Sequence, residues 1–261
     1  MLNINLAKQA FKNYLKEYDT NDDKIKLKVI HTYGVVDATN YIVRKLGVNE
    51  EDSNLAKLIA ILHDIGRFEQ LKRYDDYHDF EEFDHAEFGS RVLFKEGLIR
   101  NFVEDSKYDN IIKKAIENHS KYKIEEGLDK KTELFANIIR DADKLDNFRV
   151  KNVESIETLL NISEKELGEE TISEKVYKDF LDHKLLEKKY LKNEIDEWIS
   201  YMAFIYDLNF LPSYLYIKEN NYINRNFDRI TYTNIDTKEK INKMKLEANK
   251  FILEKLDNCD A

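Results

Sequence analysis

One proline, Pro212, interrupts a chain of 261 residues, and apolar residues recur at spacings of three and four along nearly all of it. A proline inside a helix costs about 3 kcal/mol and a glycine about 1 kcal/mol. A chain with one proline and seven glycines therefore meets few obstacles to helix, and the spacing predicts an all-α fold. A first helix is expected from Leu6 to Tyr18, broken by Asn21-Asp22-Asp23. Leu27, Ile30, Gly34, Ala38 and Tyr41 share one face of a long helix that ends near Gly47. Asn49 followed by Asp52 marks the next helix start, with Leu55, Leu58, Ile59 and Leu62 inward and Gly66 as its stop. Residues 67–82, aromatic and charged without period, read as a loop placed to act as a lid. Further helices are expected over 84–96, 109–122, 131–148, 150–163, 172–190 and 193–207, with Gly97 and Gly127 as helix stops. A last helix opens at Asp236-x-x-Glu239 and carries Ile241, Met244, Ala248 and Phe251 inward. Arg229 to Thr233 is the one short stretch with strand-like residues.

Residues 1–261 are expected to form a single all-α domain: a core over 20–150 that holds all the chemistry, and a helical extension over 151–261 packed on it. Tyr and Phe are frequent in that second part, which points to core packing. The net charge of −9 opposes general nucleic-acid binding and anionic membrane surfaces. No run approaches the roughly 18 apolar residues of a membrane span, and the first residues are amphipathic without a signal-peptide core. A cytoplasmic protein is the expectation. A single cysteine, Cys259, rules out an intrachain disulfide framework. A homo-oligomer stays open.

The chemistry concentrates around His63-Asp64, at the inward end of the apolar run Leu-Ile-Ala-Ile-Leu. Four more candidates stand on inward faces of other helices: His31 four after Leu27, His85 with Phe88 and Val92, His119 continuing the Ile112, Ala115, Ile116 face, and Asp143 four after Ile139. One buried histidine is ordinary. Several imidazoles and carboxylates aimed inward cost several kcal/mol each unless they share a cation. Neutral imidazoles with carboxylates suit Mn, Fe, Ni, Co or Zn, whereas all-oxygen sites favour Mg or Ca. Adjacent ligands diverge by about 100° on a regular helix, so His63 and Asp64 reach one metal most easily where a helix ends. Asp64 is then placed to bridge to a second metal or to orient a water.

The order His31, His63-Asp64, Asp143, the last within Asp-Ala-Asp143-Lys144-Leu-Asp146, resembles the HD-domain metal-dependent phosphohydrolase superfamily over roughly residues 20–150. That resemblance implies an all-helical HD bundle with a C-terminal helical extension, and His31, His63, Asp64 and Asp143 as ligands of a first divalent metal (Mn, Fe, Ni, Co, Zn or Mg). His85 and His119 look like the extra histidines of binuclear members, or else contact a substrate phosphate beside a single metal. Three subfamilies fit less well. There is no Gly-Tyr-Pro signature of the cyclic-dinucleotide phosphodiesterases. Ile-Gly-Arg67-Phe-Glu69-Gln stands where guanosine-tetraphosphate hydrolases carry an acidic pair. His31-Thr32 stands where deoxynucleoside triphosphohydrolases carry His-Arg.

The expected activity is hydrolysis of a phosphomonoester or phosphodiester, with a small phosphorylated, nucleotide-type substrate. Asp64 would orient or deprotonate the water. Lys144, beside a ligand, and Arg67, one turn past the metal pair, would be catalytic and substrate-binding cations, with Arg140 and Lys121 as weaker candidates. His119 serves the leaving oxygen if it is not a ligand. Asp146 is expected either to orient a ligand histidine or to pair with an arginine. His78, in the 67–82 loop, belongs to the expected lid, and His183 reads as a packed histidine. Two readings of other classes stay open: a metal-binding sensing or scaffolding module without turnover, and a di-iron oxygenase.

Overall fold

A computed structural model describes residues 2–74 and 83–258. Tyr77, His78 and Phe80 of the expected lid, and Cys259, lie outside the described residues. The fold is all-α, and no strand occurs among the described residues. None of the described helices is long and apolar enough to cross a membrane. The chain divides into two compact units, Met1–Asp143 and Lys144–Ala261.

The first unit holds α1 (Ile4–Tyr14), α2 (Asp23–Leu46), α3 (Glu50–Leu62), α4 (Ile65–Tyr74), α5 (His85–Phe94), α6 (Asp109–Asn118) and the first part of α7 (Lys130–Val153). Asp22 caps α2 by accepting from the Lys24 and Ile25 amides, and Gly47, at φ 67°, ends it in the left-handed region. Asn49 caps α3 through the Asp52 amide, as the sequence suggests. Leu58, Ile59, Ala60, Ile61 and Leu62 are all buried, so the last turns of α3 are covered on every side. α3 packs against α1, α2 and α6. Burying each of its large apolar side chains contributes about 1.5–3 kcal/mol.

Two expectations fail at the end of α3. Gly66 does not stop that helix: α3 ends at Leu62, His63-Asp64 form the turn, and Gly66 lies in the first turn of α4. Residues 65–74 are helix rather than the start of a loop. The sequence hid α4 because two of its inward residues are polar. Glu69 is buried and accepts from the Tyr14 and Tyr18 hydroxyls and from Arg73 Nε. Gln70 accepts from Arg67 Nη1 at 3.0 Å. Satisfied polar groups replace the apolar stripe that periodicity looks for.

Gly66 has another task. A Cβ there would lie 2.2 Å from the His85 carbonyl oxygen and 2.7 Å from the Gly89 nitrogen. α4 and α5 thus meet backbone to backbone, with glycine on both sides of the contact.

The second unit holds the rest of α7, then α8 (Ile156–Leu160), α9 (Glu164–Glu169), α10 (Glu174–Leu181), α11 (Glu194–Met202), α12 (Leu211–Glu219), α13 (Tyr222–Phe227) and α14 (Ile235–Asp257). Trp198, Phe180 and Phe227 are fully buried, in line with the packing read from the aromatic second half. α14 packs against α10, α12 and α13 and is capped by Asn234, two residues before the expected start. Pro212 sits in the first turn of α12, where its missing amide hydrogen costs nothing. The expected helix over 172–190 stops at Leu181, where His183 takes φ 57° and Lys184 N donates to Asp179 O. Residues 229–233 form no strand. The Thr233 and Asn234 amides donate to the one carbonyl of Gly168, and Arg229 caps the end of α7 at the Lys151 and Glu154 carbonyls.

Alanine at position 66 gains up to about 1 kcal/mol of helix propensity but must push two backbones apart. Gly66→Ala is expected to lower stability by about 1–3 kcal/mol, measured by chemical denaturation. An unchanged or raised midpoint would show that α5 does not depend on that contact.

Candidate metal centre

The first unit brings His31, His63, Asp64, His85, His119 and Asp143 together. Only His31 and Asp143 project from helix interiors. His63 and Asp64 form the turn after α3, His85 opens α5 behind the Asp84 cap, and His119 follows the last residue of α6. Sequence periodicity had placed each on a helix face. Helix ends serve better, because adjacent residues there are released from the 100° divergence.

The ends also orient the rings. A helix C-terminus leaves carbonyl oxygens without amide partners. His63 Nδ1 lies 2.8 Å from Ala60 O, and His119 Nδ1 lies 2.7 Å from Ile116 O. Each Nδ1 therefore carries the proton and donates it, leaving Nε2 as a lone-pair donor turned into the cluster. His63 Nε2 is buried without a hydrogen-bond partner. That is costly for an isolated imidazole and appropriate for a metal ligand. His85 Nε2 stands 3.2 Å from His119 Nε2, an approach that a cation between two lone pairs relieves.

Asp64 joins two groups. Its Oδ2 lies 3.9 Å from His31 Nε2 and 3.7 Å from His63 Nε2. Its Oδ1 lies 3.6 Å from His85 Nε2 and 3.8 Å from His119 Nε2. His31, His63 and Asp64 can hold one ion, and Asp64, His85 and His119 another. Asp143 Oδ1 completes the first group, 3.0 Å from His31 Nε2 and 3.9 Å from His63 Nε2.

Electrostatics keep the donors in their ligating forms. Burial would raise the Asp64 carboxyl, but positive charge close by, the Lys28 ammonium foremost, holds it well below the usual carboxylate range. Asp143 is likewise held low against its burial, chiefly by the hydrogen bond from His31. Burial pushes His63 and His119 below the ordinary 6.5 and outweighs the nearby carboxylates, so both imidazoles are neutral.

The basic candidates separate. The Arg140 guanidinium is buried and donates to the Asn118, Lys121 and Tyr122 carbonyls. It holds the chain just past His119. Lys121 pairs with Glu125 at 3.9 Å. Arg67 donates to Gln70. Lys144 belongs to the second unit, where its ammonium lies 2.8 Å from Asp207 Oδ2. Asp146 takes the arginine partner, accepting from Arg149 Nε at 2.6 Å. His183 packs on Tyr206 and Phe251, with Nε2 2.8 Å from Glu247 Oε1.

Sequence reading missed Lys28, whose Nζ lies 2.7 Å from Asp64 Oδ2. Its position three before His31 puts both on one helix face, and that spacing was the available signal.

The metal-free protein should lose stability on acidification. Below the ordinary histidine pKa of 6.5 the unfolded chain takes up protons that folded His63 and His119 refuse. Their contribution is complete above that value and is lost as pH falls through it, by up to about 1.4 kcal/mol per pH unit for each. The carboxylates, with folded values below the ordinary 3.8, act only at lower pH. Melting temperature in chelator should therefore drop between pH 7 and pH 5, and a flat profile would contradict the neutral, buried histidines.

Comparison with known proteins agrees with the geometry. Residues 29–147 match the model of the HD domain family. No curated protein and no solved structure matches the chain. The matched span, short of half the chain, contains all six clustered histidines and aspartates, and over those residues the chain is similar to the HD domain family.

Proposed function

We propose that the chain is a metal-dependent phosphohydrolase with a two-cation centre, acting on a small phosphorylated, nucleotide-type substrate. The observation that carries this reading is Asp64, whose two oxygens face different histidine pairs. A carboxylate shared in this way suits two-metal sites, which stabilise the attacking and leaving oxygens of an in-line displacement. His31, His63 and Asp143 would hold the first cation, His85 and His119 the second, and Asp64 both. Mixed nitrogen and carboxylate donors favour Mn, Fe, Co, Ni or Zn.

Bound divalent cations supply Lewis acidity, which polarises a phosphoryl oxygen and makes water acidic enough to attack at neutral pH. The protein's own groups do the rest. Ala60 and Ile116 carbonyls lock the His63 and His119 tautomers. Asp64 accepts a hydrogen bond from the attacking water and orients it toward phosphorus. The water oxygen bonds to phosphorus, the ester P–O bond breaks, and the departing oxygen takes up the proton that the water gives away. The apolar end of α3 keeps bulk water from these dipoles, which strengthens them.

Two measurements test the reading. Asp64→Ala should lower metal-dependent phosphate release by about 10²- to 10⁴-fold across a panel of nucleotides, diesters and small phosphoesters, while the circular dichroism stays helical. Undiminished release would remove Asp64 from the mechanism. His119→Ala should reduce bound metal from two equivalents to one, as read by elemental analysis of dialysed protein. Two equivalents retained in that variant would assign the second histidine pair to some other role.

A further inference from the structure

Lys28 is the cation that the ligand set does not use. It stands on α2 one turn before His31, and its side chain is 23 % exposed where that of Asp64 is 5 %. Its ammonium, 2.7 Å from Asp64 Oδ2, therefore sits at the solvent edge of the cluster. Among the described residues the negative groups of that cluster are the carboxylates of Asp64 and Asp143, and a histidine that ligates a metal is neutral. One divalent cation cancels both carboxylates. With Lys28 added, these described groups carry an excess of one positive charge, and a second divalent cation would raise that excess to three. Buried charge of one sign is costly unless an anion neutralises it.

A divalent cation held by Asp64 would compete with the ammonium for that carboxylate. A lysine head is a compact charge on a flexible stem with three donors, so it can turn to an anion seated beside the cations. Arg140 instead directs Nη1 and Nη2 at the Asn118, Lys121 and Tyr122 carbonyls.

We propose that Lys28 is the phosphate-binding residue that makes this centre favour phosphomonoester dianions over phosphodiester monoanions. The monoester carries one more non-bridging negative charge, and Lys28 is the group placed to receive it. In the metal-free protein the same ammonium stands in for the cation and keeps Asp64 ionised. The inference rests on the phosphohydrolase reading for its chemistry but not for its test.

The test compares the manganese-loaded protein with Lys28→Met. Inorganic phosphate binding is followed by calorimetry, metal content by elemental analysis, and hydrolysis with p-nitrophenyl phosphate and bis(p-nitrophenyl) phosphate. The variant is expected to keep its manganese and to bind phosphate about 10- to 100-fold more weakly. The monoester kcat/KM should fall by a similar factor, mostly through KM, with the diester little changed. Lys28→Arg, which keeps the charge, should retain the monoester preference. Equal losses on both esters, unchanged phosphate binding, or lost manganese would each overturn the assignment. Should the methionine variant fail to fold, Lys28→Gln gives the same readout with a polar replacement. If the parent protein hydrolyses neither ester, the phosphohydrolase reading fails on its own, because phosphate binding reports on Lys28 without turnover.

Discussion

A buried carboxylate surrounded by four imidazoles sets the terms for the first unit. Asp64 is deprotonated against the pull of its own burial, and its two oxygens are spoken for from opposite sides. That arrangement stands only if positive charge is close at hand. Lys28 supplies it in the metal-free protein, and the histidine lone pairs are turned to welcome a stronger source. Around this point, burial outweighs the nearby carboxylates and drives His63 and His119 to the neutral form, whereas at Asp64 and Asp143 the neighbouring groups outweigh burial and keep the carboxyls low.

The means of delivering the side chains is backbone economy at helix ends. α3 and α6 are each followed by a histidine whose Nδ1 donates to a carbonyl of the last turn, and at α6 that carbonyl, Ile116 O, also accepts the His119 amide. The contact fixes the tautomer in both cases. Arg140 performs related work after α6, gathering carbonyls that would otherwise be left in the interior. The Gly66–Gly89 approach then sets how near α5 can come to α4, and with it the position of His85 beside Asp64. Packed backbones have little slack to absorb a methyl group at that crossing.

The second unit shows the same accounting with no metal ligands involved. Arg229 closes the end of α7, Asn226 donates to Phe148 O at 3.0 Å, and Gly168 accepts from two amides of an extended segment. The segment looked strand-like because isoleucine and threonine tolerate extended backbone. Among the described residues no neighbouring strand pairs with it, and the Thr233 and Asn234 amides donate instead to Gly168 O.

Much of this molecule was legible in the sequence. The spacing of apolar residues and the near absence of proline specified helices, since both act through local backbone energetics. The Asn49 cap and the left-handed Gly47 were likewise local. The six clustered residues could be named because polar groups at inward positions announce a conflict that burial must resolve. What only tertiary structure decided was non-local. Gly66 reads as a helix stop until the α5 backbone lies against it. α4 reads as a loop until tyrosines from the N-terminal segment and neighbouring arginines satisfy its buried Glu69 and Gln70. Lys28 acquires its place only when Asp64, distant along the chain, arrives 2.7 Å away. Which of the two oxygens of Asp64 faces which histidines is a fact of three-dimensional packing, because helices from separate parts of the chain must meet before the question has an answer.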